Sequence, residues 1–232
     1  MMEVFESATR GSADHGWLKA KHTFSFAEYY DPARVSFGSL RVINEDRIAP
    51  GKGFGTHPHK DMEIVTYVID GAIAHKDSMG NGTNITAGEV QRMTAGTGVA
   101  HSEFNPSNDS ELHLLQIWIF PENNGLEPGY EQLHFPRESK LNRLRLIGSR
   151  DSREGSITIH QDVDLYASVL EAGQSTRHDV EADRKIFVQV IKGSIDVNGQ
   201  SLAAGDGAKI ESVAELTISA KSESEFLVFD MG

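Results

Sequence analysis

Gly51-Lys-Gly-Phe-Gly-Thr-His57-Pro-His59-Lys-Asp-Met-Glu63 decides how this chain is read. His57 and His59 are separated by one residue. A later stretch, Thr94-Ala-Gly-Thr-Gly-Val-Ala-His101-Ser-Glu103-Phe-Asn105, repeats the spacing with His101 and Glu103. In a β-strand, residues i and i+2 point to the same face. Two such pairs on neighbouring strands aim three imidazoles and one carboxylate at one point. That donor set makes a metal site with nitrogen and oxygen ligands, and it requires a β-fold that brings the two stretches together.

A lone His-x-His also suits surface histidines or hydrogen-bonded core histidines. Four features favour the metal. Gly51, Gly53 and Gly55 give a tight approach to the first pair. Both pairs keep strand period. Gly71 and Gly88 supply turns that fold the intervening strands back, and Asn105 adds a polar group on the face of Glu103.

The rest of the chain suits such a fold. Its 232 residues are enough for one large all-β domain or two smaller ones. Lys plus Arg is 22 against 34 Asp plus Glu, a net charge of −12. That balance argues against direct binding to nucleic acid or to an anionic membrane. There is no cysteine, so disulfides, zinc fingers, iron–sulfur clusters and thiol catalysis are excluded, and any metal is held by His, Asp or Glu. The N-terminus lacks a basic start followed by an apolar stretch, and no apolar run approaches the ~20 residues that span a bilayer. The expected location is cytoplasmic.

Strand signals dominate: 37–42, 63–69, 90–94, 112–120, 156–160, 165–170, 186–191, 208–210, 215–219 and 226–229 are expected strands, separated by Gly, Asn and Asp turns. Short strands at this spacing indicate a sandwich or barrel. One repeat is visible. Val68-Ile-Asp-Gly71-Ala-Ile73 resembles Val190-Ile-Lys-Gly193-Ser-Ile195, and Thr86-Ala-Gly88-Glu89 resembles Ala203-Ala-Gly205-Asp206. The ligands are not repeated. The positions matching His57, His59 and His101 fall on Asp179, Glu181 and Ile218, and the second half holds only His160 and His178. The Pro- and Asn-rich segment from Pro121 to about Ser156 reads as a linker. The expected partition is a metal-binding domain over 1–135 and a degenerate domain without metal over 136–232.

These motifs resemble the cupin superfamily. Gly51, five residues, His57-Pro-His59, three residues, Glu63 and then Gly71 follow its first motif; Gly98, His101 and Asn105 follow its second. Gly96 in place of proline and the displaced Gly88 point to a sub-branch, which resembles the pirin family of bicupins. The matching segments include His15-Gly-Trp17, His22-Thr-Phe-Ser-Phe26, Leu40-Arg-Val-Ile-Asn44, Asp77-Ser-Met-Gly80 and His101-Ser-Glu103.

The resemblance implies an all-β fold of two cupin (jelly-roll-like) β-barrel domains. It implies four metal ligands, His57, His59, His101 and Glu103, around one divalent transition metal. Iron as Fe2+ is the expected ion, with nickel, manganese, cobalt, copper and zinc also compatible with the donors. Glu63 is expected behind the ligands, orienting a histidine through its free N–H. The implied activity resembles quercetin 2,3-dioxygenase: cleavage of a flavonol by O2 with release of CO, Glu103 acting as general base on the 3-hydroxyl. The alternative is an iron-dependent regulatory pirin that binds another protein. Phe54 and Trp118, with Trp17, Phe24 and Phe26, suit either a pocket for a flat aromatic substrate or ordinary core packing. His75 and His113 read as structural histidines.

Overall fold

The structure, a computed structural model, describes residues 1–232. The chain divides into two compact units. One comprises Gly11–His134 with Ile157–Gln161; the other comprises Met1–Arg10, Phe135–Ser156 and Asp162–Gly232. The first ten residues thus belong with the C-terminal half, because β1 (Met2–Phe5) pairs with Gly207–Glu211.

The first unit carries β2 (Gly11–Asp14), β3 (Leu18–His22), β4 (Leu40–Ile48), β5 (Gly53–His59), β6 (Glu63–Asp70), β7 (Ala72–Asp77), β8 (Gly82–Thr86), β9 (Glu89–Thr94), β10 (Val99–Phe104), β11 (Leu112–Ile119) and β12 (Gly129–His134). They form a seven-stranded sheet, β12-β9-β6-β11-β4-β3-β2, and a four-stranded sheet, β5-β10-β7-β8. Both sheets contribute to one apolar interior: Leu18, Ala20, Ile48, Val68, Leu112 and Leu114 from the large sheet, Ile73 and Ile85 from the small one. Strands β6 and β11 are buried along nearly their whole length on both faces. That burial explains why they read as continuous apolar runs rather than alternating ones. Pro58 lies on β5, the edge strand of the small sheet, where a missing backbone donor is tolerated.

After the single turn α1 (Arg137–Lys140) come β13 (Arg145–Ser149), β14 (Ile157–Thr158), β15 (Val163–Leu170), β16 (Ser175–Asp179), β17 (Lys185–Lys192), β18 (Ser194–Val197), β19 (Gln200–Ala203), β20 (Gly207–Glu211), β21 (Glu215–Ala220) and β22 (Ser224–Met231). All but β14 belong to the second unit. Here β1, β20, β17, β22, β15 and β13 adjoin in that order, and β16-β21-β18-β19 form a four-stranded sheet. The interior is apolar, with Ile186, Val188, Val190, Ile195, Ile218, Phe226 and Val228 at its centre. The architecture is therefore all-β and doubly jelly-roll-like, as a bicupin requires. Each unit is a pair of open sheets rather than one closed barrel.

The repeat seen in the sequence is a repeat in space. Gly71 and Gly193 join β6 to β7 and β17 to β18 with φ of +81° and +79°, a left-handed conformation in which a side chain is strained.

The segment from Pro121 to Ser156 is not a linker. Gly129–His134 pairs with Glu89–Thr94 as the edge of the large sheet, and Arg145–Ser149 pairs with β15. The half-exposed edge strand lacks the apolar run that marks a buried strand, and its proline and asparagine flanks hide it.

Candidate metal centre

Strands β5 and β10 pair antiparallel with His57 opposite His101 and His59 opposite Val99. The pairing is close because Gly53 sits opposite Phe104; a Cβ there would lie 2.1 Å from the Glu103 carbonyl oxygen. The register then slips between His101 and Glu103, setting Glu103 opposite Phe54 rather than Gly55. Such a bulge re-aims a side chain relative to the regular pleat.

The three imidazoles converge. Ring centroids are 4.8 Å apart for His57–His59, 4.5 Å for His57–His101 and 4.9 Å for His59–His101. One ligand atom from each lies within 4.8 Å of the others. His57 Nδ1 is 2.8 Å from the Gly55 carbonyl oxygen. A carbonyl only accepts, so Nδ1 carries the proton and the Nε2 lone pair is free for a cation. Both ring nitrogens of His101, a residue only 2% exposed, are buried without a hydrogen-bond partner. Buried imidazole nitrogens left in this state cost free energy unless something fills them. Burial, then the neighbouring His57, holds the His59 imidazole down at about 4. Burial, followed by the charges of His57, His59 and His75, holds His101 at about 3. Both rings are therefore neutral near pH 7, as ligation requires.

Glu103, 3% exposed, is pushed up to about 7 by burial, against the hydrogen bonds it receives from Gln116. Gln116 Nε2 donates to Oε1 at 3.1 Å and to Oε2 at 3.0 Å, and Thr66 Oγ1 donates to Gln116 Oε1 at 3.0 Å. A divalent cation beside this carboxylate would draw its pKa down again. Three converging imidazoles, with both His101 nitrogens unpartnered and the Glu103 carboxylate close to His101, fit a divalent ion.

His75 joins this cluster. It lies opposite Glu103 across β7 and β10, and a ligand atom of its ring lies within 4.8 Å of those of His101 and Glu103. Its Nε2 is 3.0 Å from Asp77 Oδ2, while Nδ1 is buried and unpartnered. Strand alternation gave a signal for it, since His75 and Asp77 share a face. His113 instead pairs with Glu45 at 2.9 Å, away from the cluster.

Glu63 does not orient a ligand histidine. Its neighbour Ile64 lines the cavity described below, so the pleat turns Glu63 to the opposite face. Its fully buried carboxylate meets His160: Oε2 accepts from the His160 backbone N–H at 3.1 Å and lies 3.0 Å from Nδ1. Arg92 Nε stands 3.9 Å from the same oxygen. The residue pins the segment Ile157–Gln161, which the sequence places almost a hundred positions away.

His57, His59 and Glu103 open onto a cavity of about 310 Å³. Leu18, Ala20, Phe26, Phe54, Ile64 and Trp118 supply its apolar wall, with His22, Asn44, Asp46 and Gln116 among its polar groups. Phe26 and His59 both contact the Trp118 ring edge to face, at 5.4 and 5.1 Å between centroids. Trp17 packs behind Phe54 at 5.4 Å, and Phe24 is buried in the core. Sequence reasoning missed Asn44, Asp46, Ile64 and Gln116. Alternation puts Asn44 and Asp46 on one face of β4, but nothing local says that this face, or Ile64 and Gln116, meets a cavity.

A doubly jelly-roll chain with an inward-facing His/Glu cluster at a cavity is a bicupin with a divalent-metal site. Comparison with known proteins places it further. The Pirin family model matches residues 4–119, and the model described as the quercetinase C-terminal cupin domain matches 146–231. The chain belongs to the pirin family. Quercetin 2,3-dioxygenase of Escherichia coli K12 is 48% identical over 231 residues, covering 100% of this chain and 99% of that protein. The crystal structure of YhhW from Escherichia coli matches with a TM-score of 0.97 at 48% identity, covering 100% of this chain and 98% of that one. The structure of the bacterial pirin YhhW in complex with nickel(II) matches at 0.95 with 48% identity, covering 100% and 99%.

Proposed function

We propose that this protein is a metal-dependent dioxygenase that cleaves flavonols such as quercetin with O2 and releases CO. The observation that carries the reading is the set of free imidazole acceptors beside a buried carboxylate, facing an aromatic-walled cavity. We propose His57, His59, His101 and Glu103 as the ligands of one divalent ion, with Fe2+ as its native identity. The donor set alone also accepts nickel and the other late first-row metals. When bound, the ion supplies Lewis acidity toward the flavonol oxygens and a meeting point for the two reactants.

The chain's own groups do the rest. Glu103 takes the proton of the flavonol 3-hydroxyl onto a carboxylate oxygen, and Gln116 holds that carboxylate in place through both oxygens. Phe54, Trp118 and Ile64 bound the cavity and keep the flat ring system out of water. O2 adds across the central heterocycle of the bound flavonol, whose carbon 3 leaves as CO. The N-terminal domain carries the metal, and the C-terminal domain carries none; His178 is the one histidine after Asp162. No helix is long and apolar enough to cross a membrane, and a chain without cysteine suits the cytoplasm we assign to it.

The test adds quercetin aerobically to iron-loaded protein and follows the loss of its visible absorbance together with CO release. Turnover that disappears in His101→Ala is expected. No turnover, or equal turnover by His101→Ala, would sink the proposal.

A further inference from the structure

His75 is a buried imidazole that the four assigned ligands leave without a use. It is 2% exposed, and its side chain is closed to solvent. Its Nε2 lies 3.0 Å from Asp77 Oδ2. That carboxylate also receives three N–H groups. The Met79 and Asn81 backbones donate to Oδ1 at 2.9 and 3.0 Å, and the Asn81 side-chain amide donates to Oδ2 at 2.9 Å. Asp77 is thus an acceptor throughout. Nε2 therefore carries the proton of the His75 ring, and Nδ1 keeps the lone pair. Nδ1 is buried and has no hydrogen-bond partner in the protein.

A donor to match this lone pair belongs to His101. The two rings are 5.3 Å apart between centroids and tilted by 57°. A ligand atom each from His75, His101 and Glu103 lie within 4.8 Å of one another. A neutral imidazole that gives one nitrogen to a cation has an N–H left on the other. For His57 that N–H goes to the Gly55 carbonyl oxygen. For His101 neither nitrogen has a partner. Asp77 stands opposite His101 in the strand register, but its carboxylate is turned to His75, Met79 and Asn81. Glu103 is held by Gln116 and faces the ion. His75 Nδ1 is left as the acceptor. It is not in direct contact with His101, and a separation within 4.8 Å is one that a single buried water bridges.

We propose that His75 is the positioning residue of His101: its Nδ1 lone pair, fixed by Asp77, takes the His101 N–H that the ion leaves over, through one buried water. The chain Asp77–His75–His101 sets the tautomer and angle of the ligand and makes it more basic. That is the part that the motif spacing assigns to Glu63. The inference rests on His101 as a ligand of the ion and not on the identity of the substrate.

The test reads metal binding rather than turnover. Metal-free protein is titrated with cobalt(II), whose visible bands report the strength of its ligands, and the dissociation constant is taken from competition with a chelator. His75→Phe fills the space and offers no acceptor. It is expected to weaken cobalt binding by about 10- to 100-fold and to move the bands to longer wavelength, as a weaker ligand does. His75→Asn places an amide oxygen near the position of Nδ1 and is expected to restore most of both. Asp77→Asn keeps the shape of the carboxylate. Its oxygen stays with the Met79 and Asn81 backbone N–H groups, so its NH2 faces His75 Nε2. That donor turns the His75 tautomer over and sets an N–H against His101, and the variant is expected to behave like His75→Phe. Thermal melts establish that each variant is folded, and if His75→Phe is not, His75→Asn and Asp77→Asn decide. A lower melting temperature with an unchanged cobalt spectrum and affinity would show a merely structural role and overturn the proposal. So would an Asp77→Asn variant that binds cobalt as the unsubstituted protein does. If the unsubstituted protein takes up no cobalt, the metal centre itself falls, and the role of His75 falls with it.

Discussion

Gln116 holds Glu103 by both carboxylate oxygens, at 3.1 and 3.0 Å, and is itself held by Thr66 at 3.0 Å. The three residues come from β11, β10 and β6, so the larger sheet reaches across the interior to fix a side chain of the smaller one. Held by both oxygens, the buried carboxylate is fixed beside His75 and His101, whose ligand atoms lie within 4.8 Å of its own.

Gln116→Leu removes the amide while keeping the volume. It is expected to weaken metal affinity and to lower kcat/KM by about 10- to 100-fold, the usual cost of losing a group that orients a ligand. Thr66→Val, one step further back, is expected to cost less. Metal titration and steady-state kinetics on the two variants check the order, and equal effects would mean that Thr66 acts independently of Gln116.

The close approach of β5 to β10 depends on the absence of one methyl group. At Gly53 an added Cβ would lie 2.1 Å from the Glu103 carbonyl oxygen and 2.5 Å from Phe104 Cα, both backbone atoms that cannot step aside. Gly53→Ala is expected to push the two ligand strands apart, costing about 1–3 kcal/mol of stability and reducing bound metal. Gly55→Ala is the comparison, since nothing lies within 4 Å of a Cβ there; its melting temperature is expected to stay near that of the unsubstituted protein. Thermal melts with metal analysis on both variants decide the point.

Any one of His57, His59, His101 or Glu103 changed to alanine is expected to lower the bound metal well below one equivalent. The double change His57→Ala with Glu103→Ala is expected to abolish it. Elemental analysis of freshly purified protein reads the result and also identifies the native ion. A full equivalent of metal on the double variant would mean that other side chains hold it, with His75 the first to examine because it already neighbours His101 and Glu103.

Much of this site was legible because strand period is local. His57-x-His59 and His101-x-Glu103 declare a shared face within three residues, and Gly71 declares the turn that returns the chain. What escaped depends on pairing between distant strands. Gln116 and Asp46 sit in or beside apolar runs, and only the register of β3, β4, β6 and β11 reveals that they face the cavity. Glu63 was misread for a related reason. The motif spacing puts it at a familiar position, but the pleat beside Ile64 turns it to the opposite face, where the partner is His160. Edge strands such as Gly129–His134 escaped because half-exposed pairing leaves little apolar signature.

The same register shows what the second unit has built where the first has its cavity. Trp118 lies opposite Ile64, and in the repeat Asp230 lies opposite Ile186. The aromatic wall residue is thus answered by a carboxylate, which receives His178 at 2.6 Å, the Arg184 Nε–H, and an Arg184 Nη2 bond to its own carbonyl at 2.8 Å. Arg184 also reaches Asp162 at 3.1 Å, and the Tyr166 ring packs on His178 at 5.0 Å. Burial works to raise the Asp230 pKa, but the hydrogen bonds and charges of His178 and Arg184 prevail and hold it below the usual carboxylate range. A depressed folded pKa stabilises the native state above the unfolded carboxylate value of about 3.9, and that stability is lost as pH falls through the folded value. Asp230→Asn is therefore expected to cost about 2 kcal/mol at pH 7, less than a fully buried pair because Arg184 keeps Asp162 and the Asp230 backbone. The deficit should shrink toward zero as the pH is lowered below 4. Melting curves of both proteins between pH 7 and pH 3 check this, and a difference that stays constant across the range would show that the ion cluster contributes through shape rather than charge.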